Sequence, residues 1–384
     1  MTEPERSGGV ASYVEKMAIA LSANSVEVEV FVPSTVHGTT EVHGVRVHRV
    51  QTERSIVARG LARMLVLLAG PRGSAIVEVS TARRLAQAVE RRHSEKPFDV
   101  IQSSNHQLTG TYVLRAPGRV HVTRISTSRK LYDRGTGWRP ELFARILEWA
   151  DVRALRAADL VYAPSDFLAT YFRQTYGIEV GVVRPPAELG ARPARQLATA
   201  VPERYLVHFG ALSVRKGTDL VARALVEAWK TEPDLRMVWV GWIAPELLAR
   251  FRKEWGERSS QVTILGRLDK PILYGLVDRA IASVLPSTVD NLPNTVIESL
   301  ALGVPVIGSA GASIDELVED GVSGCLVPIG DVTGLAEAMV GAWRNRVSWT
   351  GDGFRPPAIL DAMRSDRAVQ ALLDFVHEAP TDRA

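Results

Sequence analysis

Short apolar runs rich in Val and Ile alternate with segments of helical period along most of this chain, and that alternation constrains its fold more than any single motif. Strands covered on both faces read as continuous apolar runs, whereas helices laid over a sheet need only one apolar stripe. The pattern therefore specifies an α/β architecture with parallel sheets. In the first half the runs are Val26–Val32, Phe98–Ser103, Arg119–Ile125, Leu160–Ala163 and Val180–Val183. In the second half they are Tyr205–Gly210, Arg236–Gly241, Val262–Gly266, Ala282–Leu285, Val304–Gly308 and Cys325–Pro328. Between the halves, Arg184–Pro202 is rich in Pro, Ala and Arg and has no sustained period, so it reads as a linker. The 384 residues suffice for two domains, each with its own core. The expected division is 1–185, a linker 186–202, a second domain 203–356, and a helix and tail 357–384, the helix running from about Pro357 to Glu378.

Composition narrows the partners. A net charge of +3 is compatible with anionic ligands or a membrane surface but is far from a nucleic-acid footprint. The single Cys325 excludes an internal disulfide and suits a reducing cytoplasm; its apolar setting places it in a strand core. The opening "MTEPERSGG" lacks the apolar core of a secretory signal. The longest apolar stretch, Leu61–Gly70, is interrupted by Arg63 and is too short to span a bilayer. The surrounding Arg59–Arg72 is expected to be a core helix, with a membrane-surface helix as the alternative. Arg145, Arg153 and Arg156 read as a solvated helix face.

The segment Pro286–Ser309, "PSTVDNLPNTVIESLALGVPVIGS", carries the chemistry. It reads as a strand end, a turn, a short helix stopped by Gly303 and a second buried strand. Pro293 suits the first helical turn, where its missing N–H would have had no partner anyway. The free N–H groups that follow, with the helix dipole, make an anion site. Asn291, Leu292, Asn294 and Thr295 supply the backbone around it. Asp290 precedes that site, and Glu298 lies five residues past Pro293, roughly 7.5 Å up the axis. A ligand whose phosphates cap the helix while its sugar hydroxyls meet a carboxylate fits both demands, as a nucleotide diphosphate does. In "HFGALSVRKGTD", Lys216 follows a buried strand and precedes a turn glycine and a helix, where a cation can meet a diphosphate.

The spacing Asp290-x7-Glu298, followed by "GVPVIGS" and "IDELVEDGVSGCLVP", resembles the retaining glycosyltransferases of family 4, the glycosyl transferases group 1. The block His208–Leu225 is similar to the strand–loop–helix that opens the nucleotide domain of that family. The resemblance is strong over residues 204–340 and looser over 8–185. It implies the GT-B fold: two Rossmann-like, doubly wound domains facing a cleft, with a C-terminal helix crossing back to the first. It also implies that the first domain holds the acceptor and the second the donor.

By this resemblance Glu298 binds the ribose hydroxyls, Asp290 the transferred sugar, and Lys216 the diphosphate. The family's arginine directly after the strand glycine is replaced by Ala211, and Arg215 is the candidate substitute. Gly266 and Glu316 fall at further donor-side positions. Gly8 and Gly9 open an amphipathic helix, Val10–Leu21, and let backbone approach a phosphate. His106 stands at the end of a strand as an acceptor-side contact; the second histidine of the family is absent from "VTRISTS", where Arg124 or Ser126 stands instead. A strand normally precedes the glycine pair, but "MTEPERS" is no strand, so the N-terminal sheet is expected to lack its first strand unless the natural start lies upstream.

The implied activity is transfer of a sugar, with retention and without a divalent metal, from a UDP- or GDP-sugar to an acceptor hydroxyl of a natural product or other small molecule. No prosthetic group, metal site or nucleic-acid partner is implied. The expected compartment is the cytoplasm, with contact at the inner face of the membrane left open. The alternatives are an envelope-lipid acceptor, or a non-catalytic nucleotide-sugar-binding partner protein on a decayed fold; a sugar epimerase on the same fold ranks below both.

Overall fold

The computed structural model describes residues 9–52, 71–113, 118–131, 142–187, 201–345, 349 and 354–379, with only the backbone for 71–76 and 142–144. The chain forms two compact units, one of Met1–Pro186 with Ser365–Ala384 and one of Ala187–Arg364. Both are built mainly of parallel strands and covering helices, the α/β class that the alternation specifies.

The first unit opens with α1 (Gly9–Ala23), β1 (Glu29–Ser34), β2 (Gly38–Val42) and β3 (Val45–Gln51). It continues through α2 (Pro71–Glu95), β4 (Val100–Ser104), β5 (Val120–Arg124), α3 (Leu142–Ala157), β6 (Leu160–Ala163), α4 (Asp166–Tyr176) and β7 (Gly181–Val182). Its described strands form two separate sheets, β1-β3-β2 and the all-parallel β4-β5-β6-β7. α1 covers both. Tyr13, Met17 and Ala20 pack with Val122 and Tyr162 of the second sheet, while Ala18 packs with Val30, Val45 and Val47 of the first. The sheet divides where the strand ahead of α1 would lie in a doubly wound fold, and no described residue occupies that position. Across the division the Phe31 and Phe98 rings meet edge-on at 6.2 Å. The buried Glu29 carboxylate joins β1 to Arg92 of α2 and to Arg46 and His48 of β3.

Two features here depart from the sequence reading. β1 begins at Glu29 rather than Val26, because Ser25 adopts a left-handed backbone and the Val26 N–H closes the end of α1 on the Leu21 carbonyl. The hairpin β2–β3 was not foreseen. Its turn is His43–Gly44, with φ 51° and 74°, the two left-handed residues that a tight hairpin needs.

The second unit contains β8 (Leu206–Phe209), α5 (Thr218–Thr231), β9 (Met237–Val240), α6 (Pro245–Trp255), β10 (Val262–Leu265) and α7 (Lys270–Asp278). Then follow β11 (Ser283–Leu285), α8 (Asn294–Ala301), β12 (Val306–Ala310), β13 (Gly324–Pro328), α9 (Val332–Trp343) and α10 (Ile359–Ala362). One parallel sheet has the order β10-β9-β8-β11-β12-β13, the doubly wound order whose direction reverses between β8 and β11. Every residue of β8 and β9 is buried, as an apolar run covered on both faces requires. One face packs Leu225, Trp229, Trp255 and Met339, and the other Leu276, Val296, Leu300 and Ile314. Trp239, fully buried, meets Phe251 and Trp255 edge-on, and its truncation to Ala is expected to cost about 3–5 kcal/mol. Cys325 is half-buried rather than fully enclosed, because β13 is an edge strand; burial still raises its thiol pKa.

The single helix expected over Pro357–Glu378 is two pieces, α10 and α11 (Ser365–His377). Leu360 and Met363 belong to the core of the second unit, whereas Ala368, Val369 and Leu372 pack with Tyr13, Met17 and Tyr162 of the first. The break falls where the chain leaves one core for the other.

Candidate active site

The reversal point of a doubly wound sheet leaves a crevice at the carboxyl ends of the two strands that flank it. In the second unit those strands are β8 and β11, and their loops carry the residues singled out in the sequence. Lys216 and Arg215 lie in a single 3₁₀ turn, Val214–Lys216, after β8; Asp290 and Pro293 lie after β11. Gly217 lets the two loops touch. It has φ 75°, and a Cβ there would fall 2.0 Å from the Pro286 carbonyl oxygen. Thr288 completes the join, its N–H donating to the Arg215 carbonyl at 3.0 Å.

Asp290 is the hub of this loop pair. Its Oδ2 takes a hydrogen bond from the Lys216 ammonium and another from Ser287 Oγ at 3.0 Å. Its Oδ1 accepts from the Asn291 N–H at 3.1 Å and lies 3.8 Å from Arg215 Nη1. Arg215 also donates to the Val289 carbonyl at 3.2 Å, so the second cation comes from this turn, while Ala211 is exposed. Two cations and one carboxylate thus converge at the mouth of the sheet.

Pro293 caps α8 rather than lying inside its first turn, and the helix begins at Asn294. No side chain caps this end, so the first N–H groups are left for a ligand. Leu292, buried just before, holds φ 46°, and its N–H donates to Ser313 Oγ at 2.6 Å. A left-handed leucine stores on the order of 1–3 kcal/mol and marks a loop held in place by its surroundings. Thr295 lies beside Gly210, whose Cβ would meet the Thr295 methyl at 2.9 Å. Glu298, on α8, accepts from Tyr274 Oη of α7 at 3.2 Å. Gly266, after β10, has open space where a side chain would stand. Glu316 follows two residues with left-handed backbone, Ala312 and Ser313, in the loop after β12.

Two residues escaped the sequence reading. Tyr274 orients Glu298. His208, the lone polar residue in the buried strand β8, donates or accepts at both nitrogens: Nδ1 with the Val284 carbonyl at 2.7 Å and Nε2 with Thr218 Oγ1 at 2.9 Å. Since the carbonyl only accepts, Nδ1 carries the proton and Nε2 takes one from the threonine. Burial drives its pKa down to about 4, partly offset by the Val284 bond, with Lys216 adding to the depression. His208 is therefore a neutral staple joining β8, β11 and the start of α5 beneath the Lys216 turn. A polar side chain inside an all-buried run was the available signal.

In the first unit His106 follows β4 in a short 3₁₀ turn, and its N–H donates to Ser104 Oγ at 3.0 Å. Desolvation lowers the His106 pKa, with Arg129 acting in the same direction and Glu78 against it. Gly9 is the first residue of α1. Gly8 and the segment Arg59–Gly70 lie outside the described residues. Among the described residues no helix is long and apolar enough to cross a membrane, and no cluster of metal-ligating side chains is found.

Known proteins resemble this chain in sequence and in fold. Residues 203–345 match the family model for glycosyl transferases group 1, and residues 8–187 match that for the glycosyl transferase 4-like domain. The D-inositol 3-phosphate glycosyltransferase of Mycolicibacterium paratuberculosis is 27% identical over 364 residues, covering 88% of this chain and 78% of that protein. The sucrose-phosphate synthase of Thermosynechococcus elongatus superposes with a TM-score of 0.67 at 19% identity, covering 97% of this chain and 90% of the other. The HepE protein of Anabaena, solved with UDP and glucose, gives 0.64 at 18% identity over 98% of both chains. These likenesses establish the GT-B fold. With both halves matched, the chain belongs to the group 1 glycosyltransferases, its first half being a glycosyltransferase 4-like domain, and it is an enzyme of glycosyl transfer.

Proposed function

We propose that the enzyme transfers a sugar from a nucleotide diphosphate sugar to the hydroxyl of a small-molecule acceptor, with retention of configuration and without a metal ion. The observation that carries this reading is the convergence of Lys216, Arg215, Asp290 and the uncapped start of α8 at the reversal point of the second sheet. The diphosphate docks on the α8 N–H groups and the two cations. Glu298, held by Tyr274, takes the ribose hydroxyls, and Asp290 takes hydroxyls of the transferred sugar. Asn291 to Thr295 line the approach, with Gly266 leaving room on one side and Glu316 contributing on the other.

In the reaction the acceptor oxygen bonds to the anomeric carbon as the bond from that carbon to the diphosphate oxygen breaks. The acceptor proton passes to an oxygen of the leaving phosphate. Charge accumulates on that phosphate, where fixed N–H dipoles and two cations stabilise it, the electrostatic role that a metal plays elsewhere. Gly8, Gly9 and His106 are assigned to the acceptor domain. A UDP- or GDP-sugar is the proposed donor, and the HepE structure with UDP and glucose supports a uridine nucleotide first. We place the enzyme in the cytoplasm, where nucleotide sugars and a single free thiol are both at home.

A thermal-shift panel of UDP, GDP, ADP and TDP and their sugars in EDTA tests this, run beside Lys216→Ala and Glu298→Ala. A ligand at 100 times its Kd stabilises by about 2.7 kcal/mol, a readily seen shift. A shift with one base, lost in both variants, is the expected result. A well-folded protein that responds to no nucleotide would refute the donor assignment.

A further inference from the structure

Arg124 ends β5 and is only 7% exposed. Its guanidinium lies over the Tyr13 ring of α1, 3.9 Å from the centroid, and Nη1 donates to Ser126 Oγ at 2.8 Å. Nε is buried without an acceptor, and no carboxylate among the described residues pairs with the group. The neighbouring cations are treated differently. Arg119, equally buried, is bidentate to Glu90, and Arg129 has both Glu78 and Asp151.

An arginine keeps its charge at any physiological pH, and a buried charge without a partner is strongly destabilising. The aromatic face beneath offsets part of this. Tyr162 contributes no counter-charge: it shares a hydrogen bond with Tyr13 at 2.6 Å, and burial holds its pKa well above the ordinary phenol value. The start of α1 at Gly9, about 6 Å along the helix from Tyr13, adds a second positive end. Nε and Nη2 share one edge of the guanidinium, the fork that takes a carboxylate or phosphate with two parallel bonds.

The surroundings are built rather than incidental. Ser126 Oγ is 2.8 Å from Ser104 Oγ, which accepts the His106 N–H. Asn105 ties the same two strand ends together, accepting from the Ser126 N–H at 2.8 Å and donating to the Thr127 carbonyl at 2.7 Å. This polar floor lies at the carboxyl ends of β4 and β5, where open α/β sheets take their ligands.

We propose that Arg124, Ser126 and Ser104 form an oxyanion subsite beside His106, and that the sugar acceptor carries a carboxylate or phosphate that docks there. The proposal rests on the reading of the first unit as the acceptor domain. It specifies an acidic acceptor and assigns its recognition to Arg124.

The test uses the full chain carrying Arg215→Ala and Lys216→Ala, so that the donor loops do not take up the probe. Inorganic phosphate, and separately acetate, are titrated at constant ionic strength by calorimetry and thermal shift. The parent is expected to show a saturable rise in Tm with at least one of them, and the stronger response names the anion class. Arg124→Gln should weaken that affinity by about tenfold or more, the size of a charged hydrogen bond. Arg124→Lys, which preserves the charge, should retain part of it. Without anion, Arg124→Gln should melt no lower than the parent, since an unpaired buried charge has been removed. The proposal is overturned if the parent responds to neither anion, or if Arg124→Gln leaves the response unchanged. A lower Tm in Arg124→Gln with no change in the anion response would assign Arg124 to the Tyr13 stack alone. Nucleotide binding by the chain with Arg215 and Lys216 intact is scored separately: its loss would sink the donor reading and leave the anion result standing.

Discussion

Lys216 and Asp290 are bonded to each other, so the cation assigned to the diphosphate and the carboxylate assigned to the sugar form one ion pair. On the proposed assignment, donor binding exchanges this pair for two separate contacts, and the carboxylate competes with phosphate for the ammonium. Replacing Asp290 by Asn removes the competitor without changing the shape. The affinity for the bare nucleoside diphosphate should rise, by up to about fivefold for a charge pair worth ~1 kcal/mol. Turnover should fall about 10- to 100-fold through loss of the charged bond to the sugar. Calorimetry with the diphosphate, alongside steady-state rates, separates the two effects; weaker diphosphate binding would contradict this account of the pair.

Glu298 and Tyr274 predict a sugar-edge preference. If Glu298 holds the ribose, Glu298→Gln should weaken the best nucleotide by about tenfold and leave its 2′-deoxy counterpart almost unaffected. Tyr274→Phe, which frees the carboxylate to turn, should give a smaller change in the same direction. Equal losses for ribose and deoxyribose nucleotides would instead mean that Glu298 serves the fold of α8.

The grouping of Asp290, Pro293 and Glu298 was legible because its signals are local. Asp290, Pro293 and Glu298 fall in one loop–helix unit whose spacing alone suggests phosphate and hydroxyl contacts. The reversal of strand order between β8 and β11, which brings Lys216 to that unit, is a tertiary fact no residue pattern states. The first unit was harder. The β2–β3 hairpin turns on His43–Gly44, where Asn-Gly or Asp-Gly would have announced it. The C-terminal helix has continuous helical period, and nothing in it records that its two ends serve different cores. Arg124 was noted only as standing where a histidine was missing; its lack of a counter-ion depends on which acids the fold brings near.

Gly217 offers a test of the loop junction with a built-in control. Gly217 and Gly177 both adopt the left-handed region, with φ 75° and 61°, but of the two only Gly217 has an atom in the way of a Cβ, the Pro286 carbonyl oxygen at 2.0 Å. Gly177→Ala should cost about 1 kcal/mol, the ordinary penalty of left-handed backbone. Gly217→Ala should cost at least about 2 kcal/mol more, because overpacking adds to it and backbone must move. It should also weaken diphosphate binding, since Lys216 is adjacent. Equal melting shifts for the two would mean that the contact of the two loops is soft.

His208 and Asp151 predict opposite pH dependences that largely conceal one another. Burial lowers the His208 pKa from 6.5 to about 4, so between these values the unfolded chain binds a proton that the folded one refuses. That contribution is complete above pH 6.5 and is lost as pH falls toward 4. Burial raises the Asp151 pKa from 3.8 to about 6, against the pull of Arg129, so over almost the same range the folded chain holds a proton the unfolded one releases. Its contribution is present below pH 3.8 and is lost as pH rises toward 6. Each swing amounts to about 3 kcal/mol, at ~1.4 kcal/mol per pKa unit. If the chain unfolds in one step, stability should be nearly flat from pH 4.5 to 6. Asp151→Asn should then uncover the histidine slope, with stability rising with pH, and His208→Phe the aspartate slope, with stability falling. If the two units melt separately, each transition should carry its own slope in the unmodified protein, because His208 lies in the second unit and Asp151 in the first. Calorimetric scans of the three proteins across that range decide between these cases. Slopes of the same sign in both variants would show that at least one of the two groups titrates as it does in water.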